Sequence, residues 1–378
     1  MKIVEVISDT NIGGAGIVLL TRIAAAQKEY LQNTVVIVPI GSALKKRFEV
    51  NGINVIEANV KGDKSFGFFA IFKYIRILKR LSPDIINCHG ALSCRIAACL
   101  CSVPIRVYTR HCAFPVNIFY KKKVVRCINK AVQNCLSHHV IAVAEAAKKN
   151  LTDMGVPSDK ITVIINGVEE IKTVSSDNKK RLRGELNIPQ NSIVIGIFAR
   201  LEKCKGHEDF LNAAKIVVEH SDNFRFLIVG SGSEEKLLKI KCKELGLDNY
   251  VIFTGFIENT VPYFNITDIN VNCSKGTETS SLALSEGMSI GIPAVVSDFG
   301  GNPYMVRNRY NGLVYPTGNY EILAKLLIEL SLNREEYKLF SNNAYNRYKE
   351  ELNAKEMSRQ TYSLYERLAC RQGLVKEN

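Results

Sequence analysis

Two glutamates eight positions apart, Glu278 and Glu286, are the residues of this chain whose type and spacing most directly suggest chemistry. They lie between two short apolar runs, at residues 268–273 and 293–296, each of which predicts a strand. The glutamates therefore fall in a strand–turn–helix unit, with Glu278 in the turn and Glu286 in the helix. Ligands of open α/β sheets bind at the carboxyl ends of strands, beside helix N-termini that also attract phosphates. Because carboxylates repel phosphates, the pair is predicted to bind sugar hydroxyls instead.

Two cations, Arg200 and Lys205, accompany the glutamates in the second half of the chain. They follow an apolar run at residues 193–198 that predicts a strand, so they fall at its carboxyl end. Arginine binds a phosphate bidentately, and lysine adds a compact positive charge. Such a pair can neutralise a diphosphate without a metal ion, and the chain has no Cys-x-x-Cys spacing that would predict a zinc site. Taken alone, the same residues also fit a solvated basic loop.

Histidines follow two successive predicted strands in the first half of the chain. His89 comes after residues 85–88, and His111 comes after residues 105–109. Because parallel strands end at one edge of their sheet, either histidine can hydrogen-bond a substrate hydroxyl there. A lone histidine is usually structural, but two in succession make His111 the stronger candidate and His89 the weaker one.

A glycine-rich turn, residues 13–16, lies between the first predicted strand and a helical run. Small residues let backbone N–H groups approach an anion at a helix N-terminus, although a plain tight turn has the same composition. A dinucleotide site would also need an acid at the end of the second strand, and residues 38–41 contain none. The sequence therefore argues against an NAD-dependent dehydrogenase.

The elements that must position these residues are short apolar runs alternating with longer amphipathic stretches. This alternation predicts parallel sheets covered by helices on both faces. The predicted strands of the first half are residues 3–7, 34–39, 54–56, 85–88, 105–109, 139–143 and 161–165. Those of the second half are residues 193–198, 225–229, 251–253, 269–272, 294–297 and 312–314. A polar linker is predicted at residues 169–180, and a long terminal helical stretch at residues 334–368.

Composition limits the class of protein. A chain of 378 residues, 46% of them hydrophobic, predicts two globular domains. Eleven scattered cysteines without a preceding secretory signal are expected to be reduced thiols. No stretch approaches the roughly 20 apolar residues of a membrane span, so the protein is expected to be soluble or peripheral. A net charge of +13 suits nucleic acid, an anionic membrane or a phosphorylated substrate.

Basic and aromatic residues are concentrated in two segments of the first half, residues 66–80 and residues 114–130, where the basic cluster is 121–130. Basic amphipathic helices with Phe and Tyr suit an anionic bilayer surface, and ordinary packing on the helices' own sheet is the alternative. No nucleic-acid-binding motif accompanies these charges, so nucleic acid is not an expected partner.

Together these motifs resemble the retaining glycosyltransferases of family 4, which have the GT-B fold. The resemblance runs nearly end to end and rests on the order and spacing of many short segments. The segments are residues 13–14, 109–111, 140–145, 165–168, 199–201, 205–206, 229–232, 254–256, 278 with 286, 291–296 and 300–301.

The resemblance implies that a nucleotide-sugar donor binds mainly in the second half of the chain and the acceptor mainly in the first. Arg200 and Lys205 correspond to diphosphate ligands, Glu278 to the residue that contacts the sugar hydroxyls, and Glu286 to the ribose ligand. With His111, the first three form the expected catalytic set. The further donor-binding positions that it implies are Gly14, Phe256, Ile257, Leu282 and Ala283.

Two departures from the family pattern affect the sugar contacts. Tyr304 stands where relatives often have an acid, and residues 279–281, Thr-Ser-Ser, replace the usual Gly-Phe or similar after the first glutamate. Small hydroxyl residues keep the turn tight and can hydrogen-bond, so catalysis is compatible with them. The departures also leave room for a non-catalytic nucleotide-sugar-binding or membrane scaffold. An epimerase would need acid–base residues across the cleft, and no convincing set is present.

The expected architecture is α/β, with two Rossmann-like domains facing across a cleft. Residues 1–170 form the acceptor side, joined by a returning helix at about residues 358–378, and residues 171–357 bind the donor. The expected activity is retaining hexosyl transfer from a nucleotide-diphosphate sugar, with UDP favoured over GDP, to a saccharide or lipid-linked acceptor in cell-surface polysaccharide or glycolipid synthesis. No metal or cofactor is implied. The enzyme is expected in the cytoplasm, peripheral at the inner face of the membrane.

Overall fold

The computed structural model describes residues 1–113, 120 and 122–375, and the chain divides into two compact units. The N-terminal unit contains Met1–Gly167 and the chain from Ala354 onward, and the C-terminal unit is Val168–Asn353. The sequence places the corresponding boundaries after residues 170 and 357. The aromatic and basic residues 114–119 and 121, part of the second predicted membrane-binding segment, lie outside the described residues.

The N-terminal unit is built on a seven-stranded parallel sheet with the strand order β3-β2-β1-β4-β5-β6-β7. All five residues of β1 are buried, as expected for a strand covered on both faces. The strands are β1 Ile3–Ile7, β2 Thr34–Pro39, β3 Asn54–Ala58, β4 Ile85–His89, β5 Ile105–Arg110, β6 His139–Ala142 and β7 Ile161–Val163. The helices that cover the sheet are α1 Gly14–Ala24, α2 Lys28–Asn33, α3 Leu44–Val50, α4 Phe68–Leu81, α5 Leu92–Leu100, α6 Lys123–Leu136 and α7 Glu145–Asp153.

The C-terminal unit repeats this plan with six parallel strands in the order β10-β9-β8-β11-β12-β13. Its strands are β8 Ile193–Phe198, β9 Phe224–Val229, β10 Val251–Gly255, β11 Ile269–Asn272, β12 Ala294–Ser297 and β13 Gly312–Tyr315. Its helices are α8 Ser176–Glu185, α9 His207–His220, α10 Glu235–Glu244, α11 Val261–Asn265, α12 Leu282–Met288, α13 Asn302–Met305, α14 Tyr320–Leu332 and α15 Arg334–Arg347. The largest core cluster lies here and includes Phe210, Phe226 and Phe340, all at most 1% exposed.

The predicted α/β class is confirmed, and each predicted strand is present with its ends within one or two residues. The predictions succeed because β-branched runs buried on both sides of a parallel sheet leave a strong sequence signal. The predicted linker was partly wrong. Ser176 begins α8 within it, and the Ser175 hydroxyl accepts a hydrogen bond from the Asn178 amide as the N-cap.

The terminal stretch is not one continuous helix. A π-helical turn, Tyr348–Leu352, follows α15, and Asn353 is extended before the final helix, α16 Ala354–Arg371. Helix α16 packs in the N-terminal unit, where it contacts α1 and Tyr362 stacks on Tyr30 with ring centroids 4.3 Å apart. Among the described residues, no helix has the length and apolar character needed to cross a membrane.

Candidate functional site

Glu278 lies at the centre of a polar cluster in the C-terminal unit, in the turn between β11 and α12. It is 9% exposed, and its Oε2 accepts hydrogen bonds from Lys205 Nζ at 3.0 Å, Asn272 Nδ2 at 3.1 Å and Ser274 Oγ at 2.8 Å. Burial alone would raise the pKa of this carboxyl, but Lys205 and the two hydrogen bonds outweigh it and hold the pKa below its ordinary value. Glu278 is therefore ionised and fixed in orientation at neutral pH.

The residues that hold Glu278 are themselves held by a buried hydrogen-bond network. Ser297 Oγ donates to the Ser274 carbonyl at 2.7 Å, and Asn302 Nδ2 donates to Ser297 Oγ at 3.0 Å. The Ser274 amide donates to Asn272 Oδ1 at 3.0 Å. Because Ser274, Ser297 and Asn302 are fully buried, these bonds fix the carboxylate on a rigid base.

Two glycines bring the backbone of the following loop against the glutamate turn. A Cβ atom on Gly300, whose φ is +60°, would lie 2.4 Å from the carbonyl oxygen of Glu278. A Cβ on Gly301 would lie 1.5 Å from the carbonyl oxygen of Thr279, and the Gly301 amide donates to the Glu278 carbonyl at 3.2 Å. Only glycine fits either position, so this part of the predicted Gly-Gly motif shapes the site through close packing.

The structure brings Lys205 to the glutamate but not Arg200. Lys205 ends a 3-10 turn, and Gly206 beside it has φ +71° with no room for a Cβ against the Cys273 carbonyl. The turn is thereby fixed to the end of β11. Arg200 instead pairs with Glu202, Nη1 to Oε1 at 2.6 Å, and its side chain is 72% exposed. It stays an accessible cation, while the Lys205 side chain is 17% exposed.

Helix α12 carries Glu286 and presents its first amides beside the same turn. The Ser281 hydroxyl accepts a hydrogen bond from the Leu284 amide at 3.4 Å, so the unusual Thr-Ser-Ser segment supplies the helix cap. The amides of Leu282 and Ala283 precede the first intrahelical bond and have no acceptor within the helix. Glu286 is half-buried, and burial raises its pKa to about 7.

The predicted base-binding residues follow β10. Phe256 is 74% exposed, so its ring can receive a planar ligand, whereas Ile257 packs against a small core cluster that includes Val229. Tyr304, the departure from the family acid, donates to Glu351 Oε2 at 3.1 Å. Buried Arg347 donates to Glu351 Oε1 at 3.3 Å and to the Tyr304 carbonyl at 2.6 Å. A carboxylate is thus present beside this position, contributed by the π-helical turn.

In the N-terminal unit, Gly14 is the first residue of α1, and a Cβ placed on it would have no neighbour within 4 Å. Gly16 differs, because its Cβ would lie 2.6 Å from the Leu44 side chain. Gly16 therefore serves helix packing, while the N-terminal turn of α1 at Gly14 is open.

His89 and His111 are in direct contact at the carboxyl edge of the N-terminal sheet. His89 Nδ1 lies 2.6 Å from His111 Nε2, and His89 Nε2 lies 2.9 Å from Glu5 Oε2. Glu5 is fully buried, pairs with Arg22 at 2.5 Å, and accepts from the Tyr365 hydroxyl at 2.9 Å. Burial would raise the pKa of Glu5, but Arg22 and His89 lower it further than burial raises it.

The charge state of Glu5 assigns the protons of both rings. Burial lowers the pKa of His89 and, together with the nearby Arg22, lowers that of His111 well below its ordinary value, so both are neutral at pH 7. His89 Nε2 lies closer to Glu5, at 2.9 Å, than to Asn87 Nδ2, at 3.3 Å. Ionised Glu5 requires the proton of His89 on Nε2, which leaves Nδ1 to accept from His111 Nε2. His111 then has no proton on Nδ1, and that atom is a hydrogen-bond acceptor.

Sequence reasoning missed the residues that orient the candidate groups: Glu5, Arg22, Tyr365, Asn272, Ser274 and Asn302. One signal was available, because Glu5 is a lone charge in the apolar run of β1 and Asn272 ends β11. A buried polar group in such a strand requires partners. Among the described residues, no three His, Cys, Asp or Glu side chains are grouped so as to hold a metal ion.

Most of the chain matches two described protein families. Residues 12–170 match the family described as Glycosyltransferase Family 4, and residues 178–347 match the family described as Glycosyl transferases group 1. The UDP-Gal:alpha-D-GlcNAc-diphosphoundecaprenol alpha-1,3-galactosyltransferase of Escherichia coli is 27% identical over 274 residues, which cover 69% of this chain and 70% of the relative. The alpha-monoglucosyldiacylglycerol synthase of Acholeplasma laidlawii is 24% identical over 357 residues, with 87% and 86% covered.

A solved structure shares the fold over nearly the whole length. HepE of Anabaena, in complex with UDP, aligns with a TM-score of 0.84 and 21% identity, covering 97% of this chain and 100% of that one. At this identity the likeness establishes the architecture alone.

Proposed function

The chain belongs to the family 4 glycosyltransferases, and on that premise we propose that it transfers a sugar from a UDP-sugar to a hydroxyl group of a lipid-linked or saccharide acceptor. Its GT-B fold and its activity as a glycosyltransferase follow from the family, as does retention of configuration at the transferred carbon. UDP is favoured because solved structures of this fold contain UDP, in HepE, and because an Escherichia coli relative is named for UDP-Gal.

The observation that carries the proposal is the ion pair between Lys205 and Glu278 beside the first turn of α12. In the proposed reaction the acceptor oxygen bonds to the anomeric carbon as the bond from that carbon to the β-phosphate oxygen breaks. The acceptor's proton passes to the departing phosphate, which carries the developing negative charge. Lys205 and the amides of Leu282 and Ala283 are held in place to stabilise that charge, which is the most effective form of electrostatic stabilisation. Arg200, which is 72% exposed and pairs with Glu202, would have to turn from Glu202 toward the phosphates to add its charge.

The remaining donor contacts divide among groups with different chemistry. Glu278 Oε2 accepts from three side-chain donors, and Oε1 accepts from the Thr279 amide at 3.3 Å. Because a carboxylate oxygen can accept more than one hydrogen bond, Oε1 is the oxygen proposed to accept from the sugar hydroxyls. Glu286 binds the ribose hydroxyls, and Phe256 with Ile257 receives the base. In the N-terminal unit, considered by itself, the open first turn of α1 at Gly14 is proposed to bind a phosphate, and His111 to hydrogen-bond a substrate hydroxyl.

A peripheral position at a membrane surface is part of the proposal. Phe69 on α4 is 78% exposed, and on α6 Val124 and Ile128 are 70% and 59% exposed, one turn apart. Lys and Arg residues flank both helices. Aromatic and aliphatic side chains of this kind insert at the headgroup boundary of an anionic bilayer, and the cations add attraction.

Thermal denaturation with a panel of nucleotide sugars tests the donor assignment. A ligand that binds only the folded state raises the melting temperature by mass action. We expect UDP-glucose or UDP-galactose to raise it in the native chain and to have little effect on Glu286→Gln and Lys205→Met. A shift produced by GDP-sugars alone would contradict the assignment of UDP, and shifts of equal size in both variants would contradict the proposed site.

A further inference from the structure

A concave pocket of about 350 Å³ lies beside the first turns of α4 in the N-terminal unit. Three lysines and three phenylalanines form the charged and aromatic part of its lining. They are Lys61, Lys64, Lys73, Phe66, Phe68 and Phe69. None of the assigned donor or catalytic residues lines this pocket.

The floor of the pocket is fixed by hydrogen bonds between the loop before α4 and the start of α5. The Leu92 amide donates to Ser65 Oγ at 3.1 Å, and the Ser93 amide donates to the Ser65 carbonyl at 3.0 Å. Ser93 Oγ in turn accepts from the Gly67 amide at 2.8 Å and donates to the Gly67 carbonyl at 3.0 Å. A loop tied at two points to a helix gives the pocket a defined shape.

The charge of the pocket is entirely positive. All three lysines are exposed, with Lys73 Nζ donating to the Asn59 carbonyl, and no acidic residue is among the lining. Asp63, which lies between two of them in sequence, accepts hydrogen bonds from the amide and the hydroxyl of Thr10. The lysines therefore offer a field that attracts phosphate, which lysine binds as a compact point charge.

Exposed aromatic side chains lie within the same segment as the lysines. Phe66, Phe68, Phe69 and Phe72 are between 53% and 78% exposed. Phe68 packs edge-on against Phe69 and Phe72, with ring centroids 5.8 Å and 5.5 Å apart. A contiguous group of exposed aromatic rings bordered by cations marks a binding surface for a partly apolar ligand.

The pocket also lies at the edge of the sheet where the candidate histidines end their strands. Ala91 and Ser93, which line it, stand two and four positions after His89, the last residue of β4. A ligand held there is within the same unit and at the same sheet edge as the His89–His111 pair.

We propose that this pocket binds a hydrocarbon chain that carries a phosphate or diphosphate, as the lipid-bearing end of the acceptor. The lysines bind the phosphate, the phenylalanines cover the first carbons of the chain, and the sugar-bearing end then lies toward the histidines. The inference rests on the proposed function for the identity of the ligand as acceptor, but the binding site itself does not.

Calorimetric titration of the full-length chain with farnesyl diphosphate, below its micelle concentration, tests the site directly. Farnesol is the control that has the hydrocarbon without the charge, and inorganic diphosphate is the control that has the charge without the hydrocarbon. We expect farnesyl diphosphate to bind more tightly than either. Lys64→Glu should weaken it about tenfold through loss of a phosphate contact, and Phe69→Ser about tenfold through loss of apolar contact.

Matched variants separate this site from the donor site and from a bilayer surface. Lys79→Glu, at the far end of α4, and Lys205→Met should leave the probe affinity unchanged. Ile128→Ser should lower binding to anionic vesicles but not to the dissolved probe. The proposal would be overturned if farnesol bound as tightly as farnesyl diphosphate. It would also be overturned if Lys205→Met, and not Lys64→Glu, lost affinity for the probe, or if Ile128→Ser weakened probe binding. If the chain bound the probe but transferred no sugar, the proposed function would be wrong and the proposed binding site would still be supported.

Discussion

Replacing Lys205 by methionine removes the cation from beside Glu278 while keeping the length of the side chain. The two side chains are 17% and 8% exposed, and their charged atoms lie 3.0 Å apart. Removing one partner of a buried ion pair leaves an uncompensated charge, which costs about 3–5 kcal/mol of stability. Because Asn272 and Ser274 still donate to Glu278, we expect the lower end, about 3 kcal/mol at neutral pH.

The stability cost should depend on pH in a defined direction. In the native chain the pKa of Glu278 is lowered, so its contribution to stability is present above its unfolded pKa and is lost as pH falls through the folded pKa. Without Lys205, burial dominates and raises the pKa, so Lys205→Met gains stability relative to the native chain as the pH falls and the carboxyl takes up a proton. The difference in free energy of unfolding should therefore be largest at about pH 7.5 and small at about pH 4.

Urea denaturation at these two pH values measures the effect, with Lys203→Met as the control. Lys203 is an exposed lysine of the same turn, and its removal should cost little at either pH. The double variant Lys205→Met, Glu278→Gln should recover most of the lost stability, because neither charge then remains buried. A pH-independent loss, or an equal loss in Lys203→Met, would refute the reasoning.

The double variant should recover stability without recovering transferase activity. Loss of one preorganised group that stabilises the leaving phosphate lowers kcat about 100- to 1,000-fold. The double variant should therefore be stable and still inactive, whereas recovery of turnover in it would show that Lys205 acts only through folding.

Three further outcomes follow from the structure. The affinity for UDP-glucose should fall about tenfold per pH unit below pH 7, because burial raises the pKa of Glu286 to about 7 and its ionised form is proposed to bind the ribose. Calorimetry should find weaker and pH-independent binding in Glu286→Gln. Nitrogen-15 NMR at pH 7 should find His89 and His111 neutral and protonated on Nε2, and a proton on Nδ1 of either ring would contradict the proposed chain of hydrogen bonds. Sedimentation with anionic vesicles should decrease as salt is added, and it should decrease in Phe69→Ser. It should not decrease in Val50→Ser, an exposed apolar control at the end of α3. Binding that does not depend on salt would exclude the proposed surface.

The fold was predictable because its determinants are local. Most strands are runs of largely buried apolar residues, many of them β-branched, and helices separate one run from the next, whereas β3, β7 and β10 are mostly half-buried or exposed. The secondary-structure predictions fail where the hydrophobic pattern of the sequence no longer distinguishes one element from the next. The sequence pattern of residues 334–368 is polar and typical of a helix along its whole length, so it does not mark the π-helical turn or the extended Asn353 that the structure contains.

The candidate site was predictable only in part, because its contacts join distant residues. The type and spacing of Glu278 and Lys205 identified both, but their pairing spans 73 positions. Arg200 was grouped with Lys205 because both follow β8 and both match the family pattern, which could not show that the Arg200 guanidinium pairs with Glu202. Tyr365 reaches Glu5 across 360 positions, so no sequence window could link α16 to the orientation of His89.

An assay of UDP release and of the stereochemistry of the transferred sugar shows whether this chain is a retaining UDP-hexosyltransferase. The full chain, given a UDP-hexose and anionic vesicles with a lipid-linked saccharide acceptor, should release UDP and form a product with the anomeric configuration of the donor. Glu278→Gln, assayed at a temperature at which denaturation shows it to be folded, should do so at least about 100-fold more slowly. An inverted product, or turnover in folded Glu278→Gln equal to that of the native chain, would contradict the account.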